Sequence, residues 1–331
     1  MGLTTTAPLV LPTRRVLVFT SSQSWSVPSS CLYADVMVVG GGGGGQSGYN
    51  SGAATTTTPG GGGAITVLNN LYLGGTGTVS VVVGAGGTGG VGNSGTNGTA
   101  GGYSGFGTYV YSQGGSFFQL QLATPGYKGT VNNPYNGNDT TLSNFAPIME
   151  QIVPVPGTPY FPQNTIYISP NGSSYPYFCQ TTDGTGYGYA GGVPKNNGTG
   201  SPAGGSYQGS PWNSQPYPAL TLPWGASSVF TLGTPTAGSS GTGAGGAAGS
   251  TGYAGSGGSQ FSSSPWQGSA GGPGAGGGGA PTNGANGGNG GNAGTNTGAG
   301  GGSGGSCSSG TSGAGGNGGS GFVIVSYIGT N

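Results

Sequence analysis

Gly313-Ala-Gly-Gly-Asn-Gly-Gly-Ser-Gly321 runs directly into Phe322-Val-Ile-Val-Ser-Tyr-Ile328, so a stretch with no side chain able to build a core feeds a strand-like sequence. The glycine stretch keeps a frame of three: Gly313, Gly316 and Gly319 open Gly-X-Gly triplets with Ala314, Asn317 and Ser320 at X. The left-handed extended helix of the polyproline II type has three residues per turn, so such a frame lines each residue type along one edge. Two of the three edges are bare glycine. Glycine loses more backbone freedom on ordering than any other residue. The segment is therefore either disordered or held by dense backbone hydrogen bonding.

The frame recurs. Gly84, Gly87 and Gly90 open triplets with Ala85, Thr88 and Val91 at X, while Gly284, Gly287 and Gly290 open triplets that close on Asn286, Asn289 and Asn292. A flexible linker has no reason to keep register. Bare edges let neighbouring segments approach until N–H groups reach adjacent carbonyls, with Cα–H contacts as a weaker addition. The expectation is a packed polyglycine II bundle. Collagen needs one glycine in three with abundant imino acid, whereas residues 271–321 hold 26 glycines and only Pro273 and Pro281. A disordered low-complexity tract is the alternative on composition, and the strand waiting at the end speaks against it.

Composition narrows the function. The chain has 331 residues, 85 glycines, four Lys plus Arg, four Asp plus Glu, no histidine and zero net charge. Charged residues make up 2%, against about 25% in ordinary globular proteins. Nucleic-acid binding relies on basic stripes, and disordered chains stay soluble through charge, so both classes lose ground. Cys31, Cys179 and Cys307 lie far apart and form no C-x-x-C pair, which gives no zinc site or disulfide framework and leaves at least one thiol free. The start lacks a basic, apolar leader, and runs such as residues 36–39 are too short to span a bilayer. The expectation is a protein made in a cytoplasm, not inserted in a membrane, and delivered outside by a route other than classical secretion.

Short β-rich runs appear at Arg15-Val-Leu-Val-Phe-Thr20, Ser24-Trp-Ser-Val27, Asp35-Val-Met-Val-Val39, Ala64-Ile-Thr-Val-Leu68, Leu71-Tyr-Leu73 and Thr78-Val-Ser-Val-Val-Val83. Separated by Ser, Pro and Gly, they read as antiparallel strands. With residues 322–328 they predict one small sheet at the base of the bundle. The fold class is thus mainly β and irregular: a small antiparallel β platform closed by N- and C-terminal strands, a packed polyglycine II helix bundle, and little or no α-helix, since no amphipathic helical period occurs. Residues 1–14 read as an extended attachment arm. Residues 15–102 and 233–331 form the glycine-rich β and polyglycine II domain. Residues 103–232 are an inserted region, rich in aromatics and punctuated by prolines that exclude long helices.

In order along the chain stand Phe19, Ser24-Trp-Ser-Val-Pro28, Val36-Met-Val-Val-Gly-Gly-Gly-Gly-Gly-Gly45, Val81-Val-Val-Gly-Ala-Gly-Gly-Thr-Gly-Gly90 and Gly318-Gly-Ser-Gly-Phe-Val-Ile-Val-Ser-Tyr327. This series resembles the glycine-rich domain of bacteriophage tail fibres and other virion appendages, over residues 15–103 and 233–328. The resemblance implies a virion surface protein, in some relatives a fibre-tip adhesin whose polyglycine II sandwich holds loops against the host receptor. The partners it implies are other virion proteins, held through the N-terminal region, and a host-surface glycan or outer-membrane protein. Homo-oligomerisation stays open. The 103–232 insert is no part of the pattern, which leaves open whether bundle loops or insert make the contact.

Catalytic motifs do not emerge. The glycines at 40–45 formally satisfy G-x-G-x-x-G, but Gln46-Ser-Gly-Tyr-Asn-Ser-Gly52 is not the helix a dinucleotide fold needs next. A Gly-Lys-Ser/Thr pair is also missing. Without histidine, serine and cysteine nucleophiles lack their usual base, and Asp139 and Glu150, a formal glycosidase pair, read better as solvated loop residues. A non-enzyme without cofactor or metal is expected. Tyr and Trp offer rigid contact area with a polar handle. Most aromatics of the insert are expected to serve its own core, with a minority exposed, and Tyr187, Tyr189, Trp212 and Tyr217 are the candidate receptor contacts. The ladder of Asn286, Asn289 and Asn292, about 9 Å apart, reads as a solubility device, with pairing to water, a neighbouring subunit or ice as alternatives. The rivals to an adhesin are a structural subunit of a head fibre, capsid decoration or filament and, behind it, an ice-binding protein.

Overall fold

Residues 36–39 and 322–325 are unbroken apolar runs, the pattern of strands buried on both faces. That burial is what the computed structural model contains. It describes residues 12–50, 57–63, 65–93, 95–115, 123–125, 222–240, 245–249, 251–255, 257–258, 260–261, 267–268, 271, 274–280, 282 and 286–330. Among these the strands are β1 (Thr13–Phe19), β2 (Gln23–Ser26), β3 (Tyr33–Val39), β4 (Ile65–Tyr72), β5 (Thr78–Val82) and β6 (Ser104–Phe106). They continue with β7 (Val110–Ser112), β8 (Ala123–Pro125), β9 (Gln260–Phe261), β10 (Gln267–Gly268) and β11 (Phe322–Gly329). The fold is mainly β, and the one short helix among the described residues is a 3-10 turn at Pro223–Ser228.

One antiparallel sheet has the order β1-β11-β3-β4. The last strand lies between the first and the third, from Thr13 opposite Gly329 to Phe19 opposite Val323, and from Val39 opposite Phe322 to Ala34 opposite Tyr327. Both ends of the chain thus close the platform. The platform differs from the single sheet expected, because a second sheet, β2-β5-β6-β7-β8, packs on the first. It takes strands from residues 104–112, which the sequence groups with the insert. Period-two alternation builds the core between the sheets: Ala34, Val36, Val38, Val323 and Val325 meet Val79, Val81, Phe106 and Val110. Trp25 completes it, its ring 6.3 Å from Phe19 and 5.8 Å from Phe106.

The opposite face of the first sheet carries Met37, Val39, Phe322 and Ile324, covered by Leu222, Ala226, Tyr253 and Ala254. The insert is therefore rooted twice on the platform, at β8 on the edge of one sheet and at residues 222–232 against the other. Asn69-Asn70 looks like a turn between two strands, yet β4 runs through it. Two β4 residues there oppose one of β3, a bulge in which Asn70 takes φ 56° and donates its N–H to Asp35 Oδ1 at 3.0 Å.

Past the platform the chain continues as extended glycine segments outside any sheet. Segment 41–48 shows the order. Gly41, Gly44 and Ser47 donate N–H to the carbonyls of Gly102, Thr99 and Thr96; Gly42, Gly45 and Gly48 donate to Gly319, Gly316 and Gly313; Gly43 and Gln46 donate to Gly61 and Thr58. The carbonyls of Gly42 and Gly45 accept from Gly87 and Gly90, those of Gly43 and Gln46 from Gly301 and Gly304, and that of Gly41 from Gly115. Three residues per turn give three N–H and three C=O directions, hence six neighbours. Segment 298–306 is surrounded in the same way, by the segments around residues 43–46, 60–63, 255–258, 276–282, 288–291 and 313–319. A Cβ built on Gly42, Gly44 or Gly302 falls on the carbonyl of Ala299, Thr88 or Gly277, so these positions admit only glycine. In outer segments burial itself has a period of three: Gly84, Gly87 and Gly90 are buried while Ala85, Thr88 and Val91 are exposed.

Candidate functional site

Consecutive segments run alternately away from and toward the platform, so turns collect at the far end. The three-residue frame breaks at Gln46-Ser-Gly-Tyr-Asn50, Asn93-Ser-Gly-Thr-Asn97 and Ser306-Cys-Ser-Ser-Gly-Thr-Ser312. These three pieces meet there. Gln46 is buried at the centre: its Oε1 accepts the Thr58 N–H, and the two hydrogens of its amide are shared among three acceptors, Tyr49 Oη at 2.9 Å, Gly95 O at 3.1 Å and Asn97 Oδ1 at 3.0 Å. Tyr49 is fixed at both backbone ends, donating N–H to Ser306 Oγ and accepting from the Cys307 N–H. Its ring lies where a side chain on Gly95 would project, and Gly95 has φ 60°. Only glycine suits that turn.

Asn93 and Ser312 close the tip reciprocally. The Asn93 N–H donates to Ser312 Oγ at 2.7 Å, and the Ser312 N–H donates to Asn93 Oδ1 at 2.9 Å. Ser312 Oγ in turn donates to the Gly48 carbonyl. Asn50 donates its amide to the Gly310 carbonyl at 2.8 Å, and buried Cys307 is bridged on either side by Asn50 and Thr282. The result is a rigid end surface of amides, hydroxyls and one half-buried phenol. Charge is absent from it: the charged residues among those described, Arg14, Arg15 and Asp35, all lie on β1 and β3. No three metal-ligating side chains cluster among the described residues. Such a surface suits a neutral, hydrogen-bonding ligand.

The flanks of the bundle are occupied differently from the solubility reading. Asn286, Asn289 and Asn292 accept at Oδ1 from the backbone N–H groups of Thr311, Ala314 and Asn317, each at 2.8–2.9 Å. Asn317 passes the pattern on to the Gly89 N–H, and Thr236 Oγ1 and Ser239 Oγ accept from Asn292 and Asn289. An outer segment has N–H groups that face no further segment, and the neighbour's side-chain oxygen satisfies them. The ladder is a seam.

Of the scaffold glycines named from sequence, Gly84, Gly87, Gly90, Gly313, Gly316 and Gly319 are buried in the bundle and Gly287 and Gly290 half-buried. Gly284 lies outside the described residues. So do the four candidate receptor contacts, Tyr187, Tyr189, Trp212 and Tyr217. The tip residues Gln46, Tyr49, Asn50, Asn93, Asn97 and Ser312 were not singled out by sequence. Their signal was the break in the frame, which reads as punctuation until the breaks are seen to coincide. No protein-family model matches the chain, and neither does any curated protein. No helix among the described residues is long and apolar enough to cross a membrane.

Proposed function

We propose that the chain is a virion surface protein, a tail-fibre or spike adhesin that meets its host through the far end of the glycine bundle. The observation that carries this reading is the polarity of the molecule. One end gathers the first and last strands and all the described charges, and the other presents a rigid, charge-free tip. The likeness of residues 15–103 and 233–328 to the phage glycine-rich domain supports it. Amides and hydroxyls beside the Tyr49 ring match the chemistry of a neutral glycan, which offers hydroxyls to bond and an apolar ring face to stack. The protein acts by binding, with the N-terminal region held by other virion proteins and the insert as a second contact surface.

The test is competition. Purified full-length chain, incubated with host cells before infection, reduces adsorption of the parent particle, and the Tyr49→Ala, Asn50→Ala pair of changes weakens that block. Immunogold against the chain labels fibre tips. Label over the capsid, together with unchanged adsorption, replaces this reading with that of a structural decoration or head-fibre subunit.

A further inference from the structure

Among the described residues, the platform face that carries Met37, Val39, Phe322 and Ile324 is covered over only part of its length. Toward the bundle, Leu222, Ala226 and Tyr253 pack on it. Toward the other end the same face presents Tyr33, Tyr72 and Ile328, which are 56, 62 and 50% exposed. Register brings them together: Tyr33 stands opposite Tyr72 with rings 5.2 Å apart, and Ile328, opposite Arg14, lies one step beyond the Tyr327–Ala34 pair. Arg14 donates to Ser326 Oγ at 2.7 Å and pairs with Asp35 at 3.5 Å, so its charge is matched within the patch. Tyrosine and arginine around an aliphatic residue is the composition of interface cores.

The occupant is indicated by where the chain enters. β1 starts at Thr13 opposite Gly329 and runs toward the bundle, so the segment that precedes it, residues 1–11, is tethered beside this patch. They contain Leu3, Ala7, Pro8, Leu9, Val10 and Leu11 and no charge. Pro12 and Pro8 bias Leu11 and Ala7 toward extended backbone, which opposes a reversal onto the same sheet. Eleven extended residues reach at most about 36 Å, enough to cross to a neighbouring molecule. Three exposed side chains cannot alone supply the roughly 800 Å² per partner of a stable interface; an exchanged arm adds the remainder.

We propose that residues 1–11 of one copy dock on the Tyr33–Tyr72–Ile328 patch of a second, so that the chain forms a homo-oligomer by arm exchange. This is independent of the reading of the tip as the host contact, but it gives residues 1–11 a second copy of the chain as partner in place of another virion protein. Light scattering of the full-length chain gives at least twice the 31.4 kDa monomer mass. Deleting residues 1–11, or combining Tyr33→Ser with Tyr72→Ser, returns the monomer mass with the melting temperature of the fold retained. Mixing Val10→Cys chains with Tyr72→Cys chains under copper–phenanthroline oxidation yields a disulfide-linked pair. A monomeric full-length chain overturns the proposal, as does an oligomer that survives both changes. So does a Val10→Cys, Tyr72→Cys double variant that crosslinks only within one chain, because the arm then covers its own patch.

Discussion

Gly44 is hydrogen-bonded through its N–H to Thr99, and a methyl group there would fall on the Thr88 carbonyl. The carbonyl belongs to the backbone of another segment, so no side-chain rotation relieves the clash. Gly44→Ala is expected to cost about 3 kcal/mol, the top of the overpacking range, while Ala85→Ser on the exposed edge stays within roughly 0.5 kcal/mol; urea unfolding measures both. The seam gives a second prediction. Asn289→Ala removes the acceptor of the Ala314 N–H and loses about 1 kcal/mol, whereas Asn289→Asp keeps an oxygen in place and loses less. The frame of three in the sequence reveals which glycines are interior, because two bare edges have no other use. It does not reveal that the third edge bonds to its neighbour's backbone. That depends on which segments lie side by side.

At the scale of elements, β11 decides the platform. It pairs with β1 on one side and β3 on the other, so a chain ending at Gly321 lacks the strand that both need. Such a truncation is expected to be protease-sensitive throughout, rather than a folded body with a missing edge. The β4 bulge yields a finer test. Asn70 at φ 56° tolerates glycine, but a β-branched residue is strained there, so Asn70→Val loses roughly 1–3 kcal/mol and Asn70→Gly little. Strands β1 to β5 and β11 were legible in the sequence, whereas the two- and three-residue strands β6 to β10 were too short to leave a pattern. The division into two sheets was not legible, since Trp25 and Val79 carry no mark that they face Val36 and Val325 across a gap. The tip was silent for a related reason: Gln46 and Asn97 are 51 residues apart and gain meaning only through their hydrogen bond.

For the whole molecule, the scarcity of charge sets the response to pH. The chain has no histidine, so its stability is flat from about pH 6 to pH 8. Burial pushes the Cys31 thiol up from 9.0 to about 11. Burial also raises the phenols of Tyr111 and Tyr327 above 10.0, aided by Tyr103 beside the first and Cys31 beside the second, with Arg15 opposing for Tyr327. The folded state holds these protons more tightly than the unfolded chain. Stability is therefore fully present below the unfolded values and falls as pH rises through about 9 to 11, a decline that thermal melts across that window will follow.

The glycine segments are ordered by six-neighbour backbone bonding, with no side-chain core of their own. Fixing each residue's backbone costs about 1–2 kcal/mol, and a single net hydrogen bond returns about 1 kcal/mol, so no segment holds without its neighbours and the bundle opens as one unit. Amide hydrogen exchange tests this most directly. The N–H groups of residues 41–48 and 298–306 should exchange only through global unfolding, as slowly as those of β3 and β11. Exchange of those glycine amides at the unprotected rate, while the sheet stays protected, would contradict the account.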